Sequence, residues 1–283
     1  MFGKRRRRRE AQEQVRAHFA ARAERQRLLG ERAAAWRAGG EVTPERVASE
    51  YQARLAALDP DIAAIARPVA AWVLRPGEPD VRSSHMGGAP ALYLDEPWPE
   101  LDYPMRFWAQ LHLAELAPFA AAFGIALPPD GLLQLFAGEG GGELARYIPP
   151  VDLGRLERRH EIPLGSEWAD EEEGRRIEAI SLLIDLVPEA LVGGDDVVDV
   201  IYPDLHGPHR ECTVSDDLSG YSFGWWPMSR PEDPDGLTFL AVCNSNADLG
   251  LRYSDEGFLW ATVPTAELAA GDFAHLHCEG EST

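Results

Sequence analysis

The sequence contains little cysteine and no long apolar run. Its 283 residues include three cysteines, Cys212, Cys243 and Cys278, and no Cys-x-x-Cys pair. An odd number of dispersed cysteines argues against both a disulfide framework and a cysteine-based zinc site, so a reducing cytoplasm is the expected location. No apolar stretch is long enough to predict a membrane span, and charged residues interrupt the apolar segment that a secretory signal needs.

Motifs of the common catalytic sites are also missing. The sequence has no Gly-x-Ser-x-Gly nucleophile elbow, no glycine-rich loop followed by the lysine of a phosphate-binding loop, and no His-Glu-x-x-His zinc motif. A catalytic serine would also need a base, an orienting group and an oxyanion hole. These absences favour a non-catalytic binding or interaction module, for which no catalytic residue is assigned and no cofactor is expected.

Charge is distributed unevenly along the chain. Residues 1–40 contain 12 Lys/Arg and 4 Glu, a net charge of +8, whereas the other 243 residues contain 15 Arg and 43 Asp/Glu, a net charge of −28. An acidic body repels nucleic acid and anionic membranes and attracts basic proteins. The candidate partner is therefore a basic protein, with solubility alone as the other explanation of the charge. Nucleic acid or a membrane would be bound only through the basic N-terminal arm.

The first 60 residues predict two segments that precede the main domain. Residues 1–40 begin with the basic run 4–9 and are rich in Ala, Glu, Gln and Arg, which predicts an exposed, poorly anchored helix or a disordered extension. Residues 41–60 predict a helix that packs on the domain. Thr43 is its candidate N-cap, and Pro44 occupies its first helical position.

Residues 61–283 predict an α+β domain that is mainly antiparallel. Short β-rich segments are separated by Pro/Gly turns, and few of them alternate with helices in the way that a parallel sheet requires. Two segments, Ala114–Phe123 and roughly Glu178–Leu186, have helical character. The predicted strands are Met105–Leu111, Leu132–Phe136, Leu144–Ile148, Val197–Tyr202, Leu237–Cys243 and Phe258–Val263.

The same order of segments occurs twice in this domain: a glycine–proline corner, an apolar strand, a polar turn with glycine and an aromatic strand. Three matches in one order predict an internal duplication into two related halves, roughly 61–150 and 195–283, that pack about a pseudo-twofold axis. The matched pairs are GGAP (87–90) with GWWP (224–227), MRFWAQLHLAEL (105–116) with LTFLAVCNSNADL (237–249), and PPDGLLQLFA (128–137) with YSDEGFLWATV (253–263).

These motifs resemble those of the YwqG-like family, a bacterial domain of unknown function. The resemblance is carried by the Ser/His-x-x-Gly-Gly-x-Pro loop and Trp-Pro of residues 83–99, by the strand segments 105–116 and 128–137, and by the closing segment 253–279. It implies an α+β fold with internal duplication over residues 61–283, and it brings no established activity. Val242 occupies the second-half position at which the family usually has a glutamine.

Candidate binding residues lie in the segment Ser83–Pro99, here called the glycine loop. His85, next to two serines, is its best polar candidate. Gly87 and Gly88 provide either a tight corner or a cradle for a ligand. Trp98 lies between two prolines and is either a cover for the core or a stacking platform for a ligand.

Further candidates lie in predicted strands. Gln110 interrupts an apolar strand, and a buried amide must be hydrogen-bonded, so it either ties the strand to the glycine loop or presents its amide to a pocket. Trp225 and Trp226 are adjacent and therefore cannot both face the same side of a strand. One of them is a candidate partner contact, with packing in the core as the alternative.

The most ligand-like cluster is the segment 202–212. Asp204, His206 and His209 are weak candidate metal ligands, and Cys212 is close by in the sequence. A polar surface loop is the simpler explanation of this segment. A metal-dependent hydrolase or small-ligand enzyme that uses the Asp204–Cys212 segment is the alternative function to a binding module.

Overall fold

A computed structural model describes most of the first half of the chain and selected strands of the second. The fold of these residues is α+β and mainly antiparallel, as the sequence predicts. The described residues are 27–57, 66–101, 104–138, 142–159, 181–191, 224–227, 236–245 and 257–281, together with Pro60, Ala63, Leu249, Leu251 and Tyr253.

Strands dominate the described chain. The helices are α1 (27–38), α2 (Pro44–Ala56), α3 (Leu113–Ala122) and α4 (Thr265–Ala270), with a 3₁₀ turn at Pro150–Arg155. The strands are β1 (Arg67–Arg75), β2 (His85–Gly87), β3 (Ala91–Tyr93), β4 (Arg106–His112), β5 (Leu132–Ala137), β6 (Glu143–Ile148), β7 (Leu156–Arg158), β8 (Ser181–Leu191), β9 (Gly224–Pro227), β10 (Leu237–Asn244), β11 (Phe258–Pro264) and β12 (His277–Glu281).

Ten strands form one large sheet in the order β12-β11-β10-β9-β1-β8-β2-β4-β5-β6, while β3 and β7 form a separate pair. Every described pairing of named strands is antiparallel. The edge strands β6 and β12 also lie against each other, so the sheet curls until its two edges meet.

One face of the sheet carries the main hydrophobic core. Alternate residues of a strand point to the same face, and α1, α2 and α3 supply the opposing side with Trp36, Val47 and Phe119. In the first half the other face is covered by the glycine loop and by the β3–β7 pair, which bury two smaller apolar clusters. The glycine loop is therefore packed on the back of β4 and β5.

Helix α1 is anchored to the body of the protein. Its residues Leu29, Ala33 and Trp36 are 0%, 1% and 8% exposed, a spacing of four and three that forms one helical face. The guanidinium of Arg46 lies 3.9 Å from the centre of the Trp36 ring and donates to the carbonyl of Trp36. The expectation of a poorly anchored helix is therefore wrong for residues 27–38, because a buried apolar face and a cation–π contact hold it.

Helix α2 begins where the sequence predicts. Pro44 occupies the first turn, and Thr43 Oγ1 accepts a hydrogen bond from the backbone N–H of Arg46 at 3.3 Å. This bond satisfies one of the backbone donors that a helix leaves free at its start.

The predicted helix at Glu178–Leu186 is wrong for residues 181–186, where the structure has strand β8; residues 178–180 lie outside the described residues. Leu186 lies opposite Trp72 of β1, and His85 of β2 lies opposite Leu183 on the other side. A short apolar run in the middle of a sheet has no polar alternation, so periodicity alone does not separate it from a buried helix. The predicted strand Val197–Tyr202 lies outside the described residues.

The other predicted elements agree with the structure. The predicted strands within the described residues begin and end within one residue of the observed ones, and the predicted helix Ala114–Phe123 corresponds to α3. In the part of the chain that the structure describes, no helix has both the length and the apolar character to cross a membrane.

Candidate functional site

The glycine loop begins as a strand of the large sheet and then turns sharply. His85 of β2 lies opposite Gln110 of β4. Gly87 and Gly88 follow with φ angles of 69° and 75°. Two consecutive residues in the left-handed region strongly favour glycine, because a Cβ is disfavoured there. The glycines therefore form a tight corner that carries the chain from the sheet onto its own outer face.

His85 is buried beneath this corner. Its Nδ1 donates to the carbonyl of Gly87 at 3.0 Å, and its ring centre lies 5.3 Å from that of Phe107. Burial, and secondarily the charge of Arg158, lowers the pKa of His85 to about 3. The imidazole is therefore neutral at physiological pH, and it holds the corner together from inside.

Gln110 ties its strand to the glycine loop. The side chain is fully buried, and its Nε2 donates to the carbonyls of Val81 at 2.8 Å and Ser83 at 3.2 Å. Its Oε1 accepts from the backbone N–H of Ala91 at 3.4 Å. These bonds correspond to the first of the two roles predicted for Gln110.

Gln134 extends this bonding into a chain that the sequence analysis missed. Its Nε2 donates to Gln110 Oε1 at 2.7 Å, and its Oε1 accepts from Arg146 Nε at 2.7 Å. The guanidinium of Arg146 then forms a bidentate ion pair with Glu96, which lies in the glycine loop. The four side chains, here called the amide chain, run from the core to the partly exposed edge of the loop. A glutamine within the apolar run LLQLFA was the available signal.

Arg158 and Arg159 hold the outer part of the glycine loop. Arg158 donates to the carbonyl of Ala89 at 3.2 and 3.3 Å, and Arg159 Nη2 donates to the carbonyls of Tyr93 at 3.1 Å and Leu94 at 2.9 Å. Guanidinium groups suit this task because their planar donors reach several carbonyls at once.

Trp98 covers the face of the large sheet that lies opposite the main core. Its side chain is 8% exposed, and its indole N–H donates to the carbonyl of Met105 at 2.7 Å. It packs in one cluster with Leu92, Met105, Phe107 and Phe136. Its ring is therefore a cover for the core, the first of the two predicted roles.

Trp225 and Trp226 lie on β9, between β1 and β10. Trp225 is opposite Ala71 on one side and Val242 on the other, and Trp226 is opposite Ala70. Only the backbone pairing of these two residues is described, and neither is thereby assigned to one face of the sheet. A contact with a partner at this position stays a prediction.

A second polar site, also missed by sequence analysis, lies at the end of β4. His112 Nε2 lies 2.7 Å from Asp130 Oδ1, and its Nδ1 lies 3.7 Å from Glu115 Oε1. Hydrogen bonding to Glu115 and then to Asp130 raises the pKa of this half-buried imidazole against the opposing effect of burial. The two carboxylates flank opposite ring nitrogens, so the arrangement suits a charged imidazolium and not a shared metal ion.

The candidate metal ligands Asp204, His206 and His209 lie outside the described residues. Two other histidines, His275 and His277, are exposed and contact carboxylates: His275 Nδ1 is 2.5 Å from Glu267 and His277 Nε2 is 3.1 Å from Glu279. Within the described ranges, no group of three or more His, Cys, Asp or Glu side chains is arranged to hold a metal ion. The metal site in 202–212 therefore stays a prediction.

Comparison with known proteins finds a similarity between the segment around the glycine loop and an uncharacterised domain. A family model of a domain of unknown function, DUF1963, matches residues 84–148. This segment runs from β2 to the end of β6 and includes His85, Gln110, Gln134 and Arg146. No curated protein matches the chain. The similarity thus covers the best-described part of the fold and supplies no activity.

Proposed function

We propose that the chain is a non-catalytic binding module whose acidic surface takes a basic protein partner and neutralises it. The observation that carries this proposal is the net charge of −28 over residues 41–283. A surface potential of this sign concentrates basic proteins around the molecule and speeds their association. The partner is therefore expected to be recognised mainly by charge, with a smaller apolar contact to fix its position.

The internal bonding of the glycine loop supports a framework role for this loop. His85, Gln110 and Trp98 use their polar atoms on carbonyls and amides of their own chain. A general base has to be free to approach the proton that it removes, and the buried, neutral imidazole of His85 is bonded to Gly87. The proposal therefore assigns these residues to holding the loop, and it assigns partner contact to the outer surface.

The adjacent tryptophans are the proposed apolar contact. Trp225 and Trp226 occupy neighbouring positions on β9, and neighbouring residues of a strand as a rule alternate between the two faces of a sheet. Aromatic residues are enriched where partners bind. We assign the contact to one of these two residues.

Affinity capture with the full chain as bait tests the proposal. A basic partner should be recovered and should elute as salt is raised, because the attraction between surface charges is screened. A decaarginine peptide should compete with that partner, and a decaglutamate peptide should not. Recovery of no basic protein, or binding that salt leaves unchanged, would overturn the proposal.

The basic arm needs a control of its own. Nucleic acid or an anionic membrane would be bound by residues 1–26, which carry the basic run, with a steep dependence on salt. A chain that lacks residues 1–26 should lose this binding and keep its capture of the basic partner. The two kinds of partner are thereby assigned to different parts of the molecule.

We also infer that the two halves are copies of one β-rich unit. The β4–β5 ladder shifts register between Phe107 and Ala109, and the β10–β11 ladder shifts between Phe239 and Ala241. The two shifts are 132 residues apart, the same distance that separates the starts of the matched segments 105–116 and 237–249. Counted inward from its own edge, each half places its strands in the same sequence order. The first half runs β6-β5-β4-β2 and then meets β8, and the second half runs β12-β11-β10-β9 and then meets β1. An irregularity repeated at one position in two ladders supports duplication.

The turns beyond these ladders correspond as well. Leu113 N–H donates to the carbonyl of Gly131 at 2.9 Å, and Ser245 N–H donates to that of Gly257 at 3.1 Å. The register also refines one sequence match. Trp225 lies opposite Val242 as His85 lies opposite Gln110, so the counterpart of Trp225 is His85 and not Gly88.

A further inference from the structure

The two edges of the large sheet meet without a backbone ladder. Strands β6 and β12 lie side by side, yet within the described residues no strand pairing joins them. Elsewhere in the sheet, neighbouring strands are joined by regular pairs. The contact between β6 and β12, here called the seam, is therefore held by side chains.

Tyr253 occupies the seam. A Cβ at Gly280 of β12 would collide with its ring, so this glycine makes room for it. Its hydroxyl donates to the carboxylate of Glu143 on β6, and its ring meets Trp108 edge-on with 6.5 Å between centres. One side chain thus contacts both edges of the sheet and the core behind them.

The connection between β10 and β11 holds Tyr253 in position. Its backbone N–H donates to Ser245 Oγ at 3.0 Å, and its carbonyl accepts from Gly257 N–H at 2.8 Å. Ser245 Oγ in turn donates to the carbonyl of Gly257 at 2.6 Å. Tyr253 is therefore fixed to the second half and reaches across to the first.

Further contacts near the seam also come from side chains. The rings of Tyr147 and Phe273 stack with 4.0 Å between their centres, and Arg106 Nη2 donates to the carbonyl of Leu249 at 3.4 Å. Separating two strands normally breaks a ladder of backbone hydrogen bonds, whereas β6 and β12 share no such ladder among the described residues. Regions with few such bonds open at a lower free energy than the rest of a protein.

We propose that the seam is a built-in opening of the sheet and that Tyr253, bonded to Glu143, is the strap that keeps it closed. The seam opens while the remaining strands stay paired. Opening gives access to the core side of β12, where Cys278 lies buried. The strap is a conformational device, and it does not depend on the proposed basic partner.

Two buried thiols report on this opening. Cys278 is 3% exposed on the seam strand β12, and Cys243 is 0% exposed on the interior strand β10. Both belong to the same core cluster, so both need an opening event before a reagent reaches them. Iodoacetamide labelling of the native full chain, followed by peptide mass spectrometry, would give the alkylation rate of each thiol.

The proposal requires Cys278 to react faster than Cys243 in the native protein. Tyr253→Phe removes the hydroxyl and keeps the ring, and it should speed the labelling of Cys278 about tenfold, the factor that a lost hydrogen bond to a charged group implies. Cys243 should react at its original rate. Glu143→Ala removes the acceptor on the other edge and should reproduce the effect.

Tyr147→Phe is the matched control. It also deletes one phenol hydroxyl, but that hydroxyl donates to the carbonyl of Asp130 within the first half, and the ring remains to stack on Phe273. Cys278 labelling should stay unchanged. If Cys278 and Cys243 react at equal rates, or if Tyr253→Phe speeds both equally or neither, the thiols are reached by general unfolding and the strap is refuted.

Discussion

Gln134 donates a hydrogen bond from Nε2 to Oε1 of Gln110 at 2.7 Å, and the two residues lie directly opposite each other on β5 and β4. Both side chains are fully buried. Under the proposed duplication, the corresponding pair in the second half is Val242 and Trp260, which also lie directly opposite each other. The first half therefore has buried polar side chains where the second half has apolar ones. Of these two pairs, only the polar pair forms hydrogen bonds to the glycine loop.

This amide pair should show strong energetic coupling. Gln110→Val removes the hydrogen-bond partner of the carbonyls of Val81 and Ser83 and of the Ala91 N–H, while Gln134 Nε2 keeps its bond to the Ala91 carbonyl. Unsatisfied buried groups cost about 1–3 kcal/mol each. Gln134→Leu should destabilise the protein by a similar amount. The double variant should cost less than the sum of the two, because each single change already breaks their shared bond. Urea unfolding of the four proteins measures the coupling, and additive losses would show that the pair does not act as a unit.

Much of the fold could be predicted from the sequence because local signals agree with the final structure. Thr43 and Pro44 begin α2 as expected, and short apolar runs between turn residues locate β4, β5, β10 and β11. These signals act within a few residues, where capping and strand periodicity depend on neighbours in the chain. Strand β8 was missed because its apolar run is compatible with two structures, and pairing with β1 decides between them.

The polar sites were harder to predict because their partners are distant in the sequence. Gln110 was singled out, but its bond to Gln134 depends on a strand register that no local pattern contains. Tyr253 and Glu143 are 110 residues apart and meet only because the sheet curls until its edges touch. Single residues with unusual polarity for their strand could be predicted, whereas the contacts that give them a role required the fold.

His112 should make stability fall as the pH rises above 6.5. Glu115 and Asp130 raise its pKa above the usual 6.5 in the folded protein, so the folded state holds a proton that the unfolded state has released. The stabilisation is fully present below pH 6.5 and is lost as pH rises through the folded-state pKa. Urea unfolding between pH 6 and pH 9 should show this loss in the native chain. In His112→Gln the same curve should be flatter, and equal slopes would contradict the ion-pair role of His112.

His85 should have the opposite effect, although it lies one strand away from His112. Its pKa falls to about 3 in the folded protein because the ring is buried, whereas in the unfolded chain it returns to about 6.5. The unfolded state therefore binds the extra proton between these values, and stability falls as pH drops below 6.5, by up to about 1.4 kcal/mol per pH unit.

The slope between pH 6.5 and pH 5 isolates this effect, since most carboxylates are still ionised there. His85→Gln should lower the stability at every pH, because its bond to Gly87 is changed. The loss of stability per pH unit should be smaller than in the native chain, by up to the contribution of one bound proton, about 1.4 kcal/mol. The imidazole signals of His85 in NMR spectra should not shift over this pH range. A shift of the His85 signals would mean that the ring is open to water and free to take a proton, and it would return the glycine loop to the list of candidate binding sites.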